Sequence, residues 1–447
     1  MLKVTTLFAC LLTSTIMLGQ SVEKKLEAVD DYIIEGNYDY AEKLLIKILR
    51  KDDGIHEAHY KLAMVLWQTD KPKRALEEAV KAVSQKPEDA NYQALLGKLW
   101  VENSQGDKAL EAFERALLYN AYLPEAFLYR GDYYMEQEAW DKAISDFMHL
   151  DSLVPGQPEI YFRLAHCHHG KLKYKPAIHN YQKALEINPL DNESRFGLSL
   201  CFYETGSYAN AIFHLNQLIN MEGEFVDYLH QRAQCYVQLD KLSEAKIDLI
   251  KARKLESGNT EVVLTLIGLE ERLGNYDAAI SLLDQNIARF EGMRILYVWK
   301  GRILAKQGQF KSANRNFGFA AEGMESGQAY SQELMVYQAI VAYLADESSF
   351  LPASIECDAQ NPKAVLMARC IPSKKDMNID CLNVKDQELS SPGNDNPVTS
   401  HEWMLSAIGH LYRDDPQNAR ISLEKALTLT NFEDSEYHFA EILYLNL

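Results

Sequence analysis

The 447-residue chain has no long run of basic residues, and its acidic residues outnumber its basic ones. Lys and Arg total 46 against 64 Asp and Glu, which gives a formal net charge of −18 at pH 7. Proteins that bind nucleic acid cluster Lys and Arg against the phosphate backbone. The composition therefore argues against nucleic acid as a partner, and the acidic excess favours solubility or attraction to basic partners.

The sequence motifs of common enzyme sites are also missing. The chain has no phosphate-binding glycine loop, nucleophile elbow, Cys-x-x-Cys pair or His-Glu-x-x-His motif. His56 and His59 lack the i, i+4 spacing of the zinc-binding helix motif. We therefore expect a protein without catalytic activity, cofactor or resident metal.

Long apolar runs are absent beyond the N-terminus, where the pattern is that of a targeting segment. Lys3 precedes an apolar stretch of about 16 residues, which is short for a membrane span and typical of a signal peptide. We expect residues 1–19 to be a signal peptide, with an exported product of the periplasm or cell envelope. A lipoprotein-type cleavage before Cys10 would divide the apolar stretch, so we expect no lipid anchor there. A signal ending in Gly-Gln resembles those of exported Bacteroidota-type proteins.

What the chain does have is a strict internal repeat. Alanine recurs with a spacing of 34 residues, and such a fixed period is the signature of a repeat architecture. Turn residues mark each unit as well, since Gly36, Gly206, Gly274 and Gly308 precede the alanine by the same five residues. The alanines in register are Ala41, Ala75, Ala109, Ala143, Ala177, Ala211, Ala245, Ala279 and Ala313.

The residues around each alanine predict two packed helices per unit. A small residue, such as Gly97 or Gly131, usually lies twelve positions before the alanine, and a bulky apolar residue, such as Phe113 or Phe147, lies four positions after it. Closely crossing helices need small side chains where they meet. Spacings of three, four and seven residues place these positions on one helical face.

This pattern resembles the tetratricopeptide repeat family. The resemblance implies an all-α fold, a right-handed superhelical solenoid of antiparallel helix pairs. We expect nine regular repeats over 22–327, a degenerate repeat with a Cys-containing insert over 328–399, and a final repeat with a capping helix over 400–447. The weakest copies are the first, with Val29 at the small position, and the eighth, with Ile267.

The resemblance also implies where a ligand binds. In the family, the first helix of each pair lines an extended concave surface through its second, fifth, ninth, twelfth and thirteenth positions, and we call this surface the inner face. The implied function is a non-catalytic scaffold or adaptor that binds a protein or peptide there. The residues predicted to contact a ligand are Tyr60, Met64, Trp67, Lys98, Asp132, Phe162, His166, His169, Phe196, Tyr203, His230, Arg302 and Lys306.

Two alternative functions remain open at this stage. Aromatic faces also stack on sugars, so a carbohydrate- or cell-wall-binding protein is one alternative. His166 and His169 share a helical face, and imidazoles suit zinc or copper, so a metal-binding or catalytic protein is the other.

The cysteines fall into two groups. Repeat register places Cys167, Cys201 and Cys235 at a core position, where we expect buried thiols rather than disulfides. Two of Cys357, Cys370 and Cys381 are expected to form a disulfide in the insert, although the sequence does not say which two.

Overall fold

The computed structural model describes residues 22–289, 293–322, 415–430 and 435–446, with positions 337–338, 340–341, 344–345 and 407. The predicted signal peptide and the three insert cysteines lie outside these residues, so both remain predictions. No helix in the described ranges has the length and apolar character that a membrane span requires. The chain divides into two compact units, residues 1–223 and 224–447.

The first unit contains six helix pairs. Every regular element described in it is an α-helix, and consecutive helices pack against one another. The helices are α1 (22–34), α2 (Tyr38–Leu49), α3 (His56–Gln68), α4 (Pro72–Gln85), α5 (Ala90–Glu102), α6 (Gly106–Tyr119), α7 (Pro124–Glu136), α8 (Trp140–Leu153), α9 (Pro158–Gly170), α10 (Tyr174–Ile187), α11 (Asn192–Glu204) and α12 (Tyr208–Glu222).

The second unit continues the pattern with three pairs and ends with two further described helices. These are α13 (Val226–Gln238), α14 (Leu242–Leu255), α15 (Thr260–Arg272), α16 (Tyr276–Ile287), α17 (Ile295–Lys306), α18 (Phe310–Ala321), α19 (Pro416–Leu429) and α20 (Ser435–Asn446). The predicted all-α class of stacked helix pairs is thereby confirmed. The helix α20 lies within 400–447, the range in which the sequence predicts a final repeat and a capping helix.

The small and large residues of each repeat pack as the sequence pattern predicts. All nine register alanines are fully buried. A Cβ added at Gly97 would lie 2.5 Å from the Phe113 ring, and one added at Gly131 would lie 2.7 Å from the Phe147 ring. The glycine therefore lets the first helix of a pair lie directly against the aromatic ring of the second.

The turn between the two helices of a pair has one conformation throughout the repeats. Gly206 has φ +73°, and two hydrogen bonds typical of a helix end close the turn: Gly206 N–H donates to the Tyr203 carbonyl at 2.9 Å, and Ser207 N–H donates to the Phe202 carbonyl at 2.8 Å. Five repeats place a non-glycine residue at this left-handed position: Asp70, Ser104, Glu138, Leu172 and Asp240. The repeat geometry therefore overrides the residue's own preference at these five turns.

Candidate functional site

The inner face of the first unit is built by its first helices. Successive first helices contact one another directly, α3 with α5, α5 with α7 and α9 with α11. Side chains at i, i+3, i+7 and i+10 point to the same side of a helix. The predicted positions therefore form rows that run from one first helix to the next.

An aromatic group lies on α3, α5 and α7. The rings of Tyr60 and Tyr92 stack with centroids 4.6 Å apart, and Trp67 meets the ring of Tyr129 edge-on at 6.3 Å. The Tyr92 hydroxyl also lies 2.9 Å from His56 Nδ1. Burial, followed by the neighbouring Tyr129 and Glu125, raises the pKa of Tyr60 to about 12, so this phenol stays neutral.

Polar side chains interrupt the aromatic rows at the ninth position. Lys98 pairs with Glu102 of its own helix at 3.3 Å, and Asp132 on α7 accepts from Arg163 Nε on α9 at 2.7 Å. Met64 holds the same position on α3 and is half-buried beside the α3–α5 core. The charges predicted here are therefore already matched within the unit.

A second aromatic group surrounds the two histidines of α9. His166 is exposed, stacks on Phe162 at 6.2 Å and meets the edge of Trp140 at the same distance. His169 contacts the ring of Tyr174 at 5.8 Å. Although His166 keeps exposed surface, packing against the neighbouring rings partly removes both imidazoles from water, and this lowers the pKa of each. For His169 the nearby His166 adds to the effect, so both imidazoles are neutral at pH 7.

The remaining predicted aromatic positions divide between the two units. Phe196 and Tyr203 lie half-buried on α11, where Tyr203 packs edge-on against Tyr208 at 5.5 Å. His230 belongs to the second unit and lies 2.9 Å from the Thr265 hydroxyl. The structure thus brings the N-terminal and α9–α11 residues onto one unit and leaves His230 on the other.

The cysteines of the regular repeats are buried, as predicted. Cys167, Cys201 and Cys235 are free thiols with no exposed surface, and burial raises the pKa of each to about 12. They are therefore unreactive core residues. Within the described ranges, no three His, Cys, Asp or Glu side chains come together as a metal-binding group.

Arg302 and Lys306 differ from the other predicted positions, because both are buried. Glu271 on α15 accepts hydrogen bonds from Arg302 Nη2 at 2.5 Å and from Lys306 Nζ at 2.7 Å. Burial opposes ionisation of Glu271, but the charges of Arg302 and Lys306 outweigh it and hold its pKa below the usual value. Both cations are thus neutralised inside the protein, and neither belongs to an open ligand site.

The last helix covers this charged group. Lys306 Nζ also pairs with Glu441 and lies 3.2 Å from His438 Nδ1, both on α20. Asn446, at the end of the same helix, donates to the Ala305 carbonyl at 3.2 Å. On α17 these contacts fall at Ala305 and Lys306, the twelfth and thirteenth positions of the ninth repeat, so α20 lies against the inner face of the second unit.

Sequence reasoning missed the acidic partners in this group. Glu271 occupies the twelfth position of the eighth repeat, the same position as Trp67 in the second, so the repeat register contained a signal for it. Nothing local signalled His438 and Glu441, because they lie more than 130 residues after the helix that they contact.

Family models match most of the helix pairs. Residues 32–99 match one model described as tetratricopeptide repeat, and 94–158 and 267–313 match another. These helix pairs are therefore similar to tetratricopeptide repeats. Residues 170–252, between the last two segments, match a model described as anaphase-promoting complex, cyclosome, subunit 3.

Several curated proteins of eukaryotes are similar in sequence to this chain. The chain is 24% identical over 268 residues to the BBSome complex member BBS4 of Mus musculus, covering 60% of this chain and 48% of that protein. It is 26% identical over 203 residues to tetratricopeptide repeat protein 16 of Homo sapiens, covering 44% and 20% respectively. The human protein O-mannosyl-transferase TMTC1 is 26% identical over 162 residues, covering 35% and 18%. The chain thus spans less than half the length of these relatives.

Two bacterial proteins are among the solved structures that match this chain. Pseudomonas aeruginosa pilF has 17% identity and a TM-score of 0.42, over 47% of this chain and 96% of that one. A tetratricopeptide repeat protein of Parabacteroides merdae has 20% identity and a TM-score of 0.41, over 56% and 98%.

Proposed function

We propose that this protein is a non-catalytic scaffold that binds a protein or peptide segment along the inner face of its first unit. Tetratricopeptide repeats suggest protein–protein interaction as the function. The observation that supports this particular surface is its row of half-buried aromatic side chains, including Tyr60, Trp67, Phe162 and Tyr203. Large aromatic side chains on a preformed surface are the residue type that dominates binding energy in protein interfaces.

The two aromatic groups are suited to act as anchors. Each ring is held by a neighbouring ring, as Tyr60 is by Tyr92 and Phe162 by His166, so little side-chain freedom remains to be lost on binding. The imidazoles and the Tyr60 phenol are neutral at pH 7, and a neutral surface loses less hydration free energy when a partner covers it. A peptide with apolar anchor residues fits these properties.

An assembly or adaptor role is part of the proposal. One set of relatives is named as members of a complex, the BBSome, and the chain resembles them over its repeats. A protein made of stacked repeats offers a long surface on which a partner in a complex can bind. We propose that this chain holds one partner within a larger assembly.

We further propose that the chain is exported to the periplasm or cell envelope of a Bacteroidota-type bacterium. The support is the basic and apolar pattern of residues 1–19, which is that of a signal peptide. Mass spectrometry of the protein purified from a native envelope fraction tests it. A first residue at or near Gln20 is expected, and an intact Met1 in the cytoplasmic fraction would contradict the proposal.

The binding proposal is tested by crosslinked affinity capture from the native cell. The bait is the mature protein, compared with the inner-face variant Phe162→Ala/Tyr203→Ala. The matched control removes two exposed aromatic rings elsewhere, Tyr122→Ala/Phe213→Ala, which are 75% and 57% exposed. Circular dichroism and thermal unfolding verify that both variants are folded.

We expect a partner captured by wild type and by the control variant but lost from the inner-face variant. A partner that all three baits retain would place the binding site elsewhere. If no bait captures a specific partner, the scaffold proposal is wrong. Retention on isolated murein instead of capture of a protein would favour the carbohydrate-binding alternative.

A further inference from the structure

Acidic side chains border the aromatic rows of the first unit on both sides. Each first helix presents its second and thirteenth positions at the two ends of the inner face, on either side of the fifth, ninth and twelfth. One border lies at the helix starts and the other at the helix ends. The border residues are Glu57, Glu125, Glu159 and Glu193 at second positions, and Glu102, Glu136 and Glu204 at thirteenth positions.

Few cations within the unit balance these borders. Lys98 is the one Lys or Arg at an inner-face position of the first six repeats, and it already pairs with Glu102. Glu57 has an intrahelical partner in Lys61 at 3.2 Å. Among the described residues, Glu125, Glu136, Glu159 and Glu193 form no ion pair, and Glu159 and Glu193 are exposed.

The second unit shows how this chain covers an inner face. There two inner-face positions of α17, Arg302 and Lys306, are basic, and the segment that lies on this helix is another helix, α20, which brings Glu441 to Lys306. The apolar side of the same helix packs into the core, with Phe439 edge-on to Tyr337 at 4.6 Å. The occupant is a largely apolar helix that brings one carboxylate to a basic residue of the surface.

The dimensions of the first unit suit the same kind of occupant. Eleven residues of helix separate the two borders, which at 1.5 Å per residue places them about 16 Å apart. A helix with its side chains is about 10–12 Å wide. A helix lying across the first helices would contact the aromatic rows, and its long basic side chains would reach either border.

We infer that the partner segment of the first unit is a basic amphipathic helix, with apolar or aromatic residues on one face and Lys or Arg along its flanks. This inference rests on the proposed function, which supplies the surface, and it adds the chemistry of the occupant. The apolar face covers the rings of residues such as Tyr60 and Phe162, and the flanking cations pair with the border carboxylates.

Two designed peptides of about 20 residues provide the probe. Both carry the same Leu and Trp face, with Lys on the flanks of one and Glu on the flanks of the other. Fluorescence polarisation measures their binding to the full mature protein. The border variant is Glu159→Lys/Glu193→Lys, and the matched control, Glu77→Lys/Glu186→Lys, makes the same charge change on exposed positions of second helices.

We expect the Lys peptide to bind at least about tenfold more tightly than the Glu peptide. The border variant should weaken the Lys peptide by about tenfold, and the control variant by less than about twofold. Because a lysine in the first turn opposes the helix dipole, Glu159→Gln/Glu193→Gln serves as a milder second border variant. It should weaken binding by about threefold.

Equal binding of the two peptides, or equal weakening by the border and control variants, would overturn the basic-helix inference. The Phe162→Ala/Tyr203→Ala variant separates this result from failure of the proposed function. If that variant loses a natively captured partner while the border variants retain it, the inner face is the site and only the charge assignment is wrong. If neither the Phe162→Ala/Tyr203→Ala variant nor the border variants change peptide binding or partner capture, both the proposed function and the basic-helix inference are wrong.

Discussion

The inner faces of the two units share a helix arrangement but differ in what covers them. In the first unit the fifth and twelfth positions include half-buried aromatic side chains such as Tyr60 and Tyr203, and the ninth position of α9 is the exposed His166. In the second unit Glu271 is at a twelfth position, Arg302 at a ninth and Lys306 at a thirteenth, and all three are buried in the group that α20 joins. The same repeat position is thus a surface in one unit and an internal contact in the other.

The difference shows what decides whether a charged residue in a repeat is available to a ligand. The Asp132–Arg163 pair on the first inner face is partly exposed, with 19% and 26% of the side-chain surface accessible, so water screens it. Lys306 and Glu271 have no exposed side-chain surface, and each depends on its protein partners for its charge. Burial by a distant helix, rather than repeat position, separates the two cases.

The largest expected effect comes from breaking the buried group with Glu271→Gln. The substitution keeps the side-chain volume but leaves Arg302 and Lys306 without their shared anion, which should destabilise the second unit by about 3 kcal/mol. Urea unfolding and hydrogen exchange across α17 and α20 measure it. The exposed Glu204→Gln on the first inner face is the control, and a loss under about 1 kcal/mol for Glu271→Gln would contradict the buried-group account.

A smaller effect is expected from pH, through His438. Burial and the neighbouring Arg302 and Lys306 lower the pKa of His438 to about 2, despite Glu271, while an unfolded histidine titrates near 6.5. The unfolded chain therefore binds a proton that the folded chain excludes, so this contribution to stability is complete above pH 6.5 and falls as pH decreases. Between pH 6.5 and 5 the loss is about 2 kcal/mol.

His438→Gln isolates that pH dependence. The variant should flatten the fall in stability of the second unit between pH 6.5 and 5, measured by urea unfolding at each pH. Glu271, Glu441, Arg302 and Lys306 face His438 and are unchanged in the variant. If the free energy of unfolding falls with pH at the same rate in wild type and variant, His438 binds its proton as readily in the folded protein as in the unfolded chain, which would contradict the prediction.

A third prediction concerns the turns, where the units differ again. Four of the five non-glycine residues with positive φ lie in the first unit, and Leu172, with φ +55°, is 71% exposed. A left-handed conformation costs a residue with a Cβ about 1–2 kcal/mol, and Leu172→Gly removes this cost. The glycine also gives the unfolded chain more conformational freedom, which lowers stability by about 0.5–1 kcal/mol. We expect a net stabilisation of about 0.5–1 kcal/mol by thermal unfolding. The reciprocal change, Gly206→Leu, should destabilise the unit. Equal stability of wild type and both variants would show that a non-glycine residue is not strained at this turn position.

The smallest effect is expected from the exposed pair of the first inner face. Asp132→Asn should cost less than about 1 kcal/mol, because Arg163 regains solvent when its partner is neutralised. Chemical denaturation compares it with Glu271→Gln. A cost as large as that of Glu271→Gln would remove the distinction between the open and the covered inner face.

The regular part of the fold was predictable from local pattern. The nine register alanines are buried, Gly97 and Gly131 do contact the rings of Phe113 and Phe147, and the core cysteines are buried and free. The five turns with non-glycine residues were not predicted, since the sequence signal for a left-handed residue is glycine and these repeats lack it.

The candidate site was only partly predictable. Repeat register placed Tyr60, Phe162 and Tyr203 on first helices, where the structure has them, and the structure adds that all three lie in the first unit. It also placed Arg302 and Lys306 among the ligand-contacting residues, and the structure instead buries both against Glu271 and α20. A repeat pattern specifies which side of a helix faces inward, but it does not specify what else lies there.

The sequence by itself determined the 34-residue period, the helix pairs and the residues at their contacts, because each of these depends on neighbours within one or two repeats. Only the tertiary structure decided that α20 returns to α17, that Glu271 joins two basic residues in a buried group, and that α20 covers part of the inner face of the second unit. The physical reason is that helix packing is encoded in local spacing, whereas the partner of a buried charge is chosen by burial and charge complementarity between segments far apart in the chain.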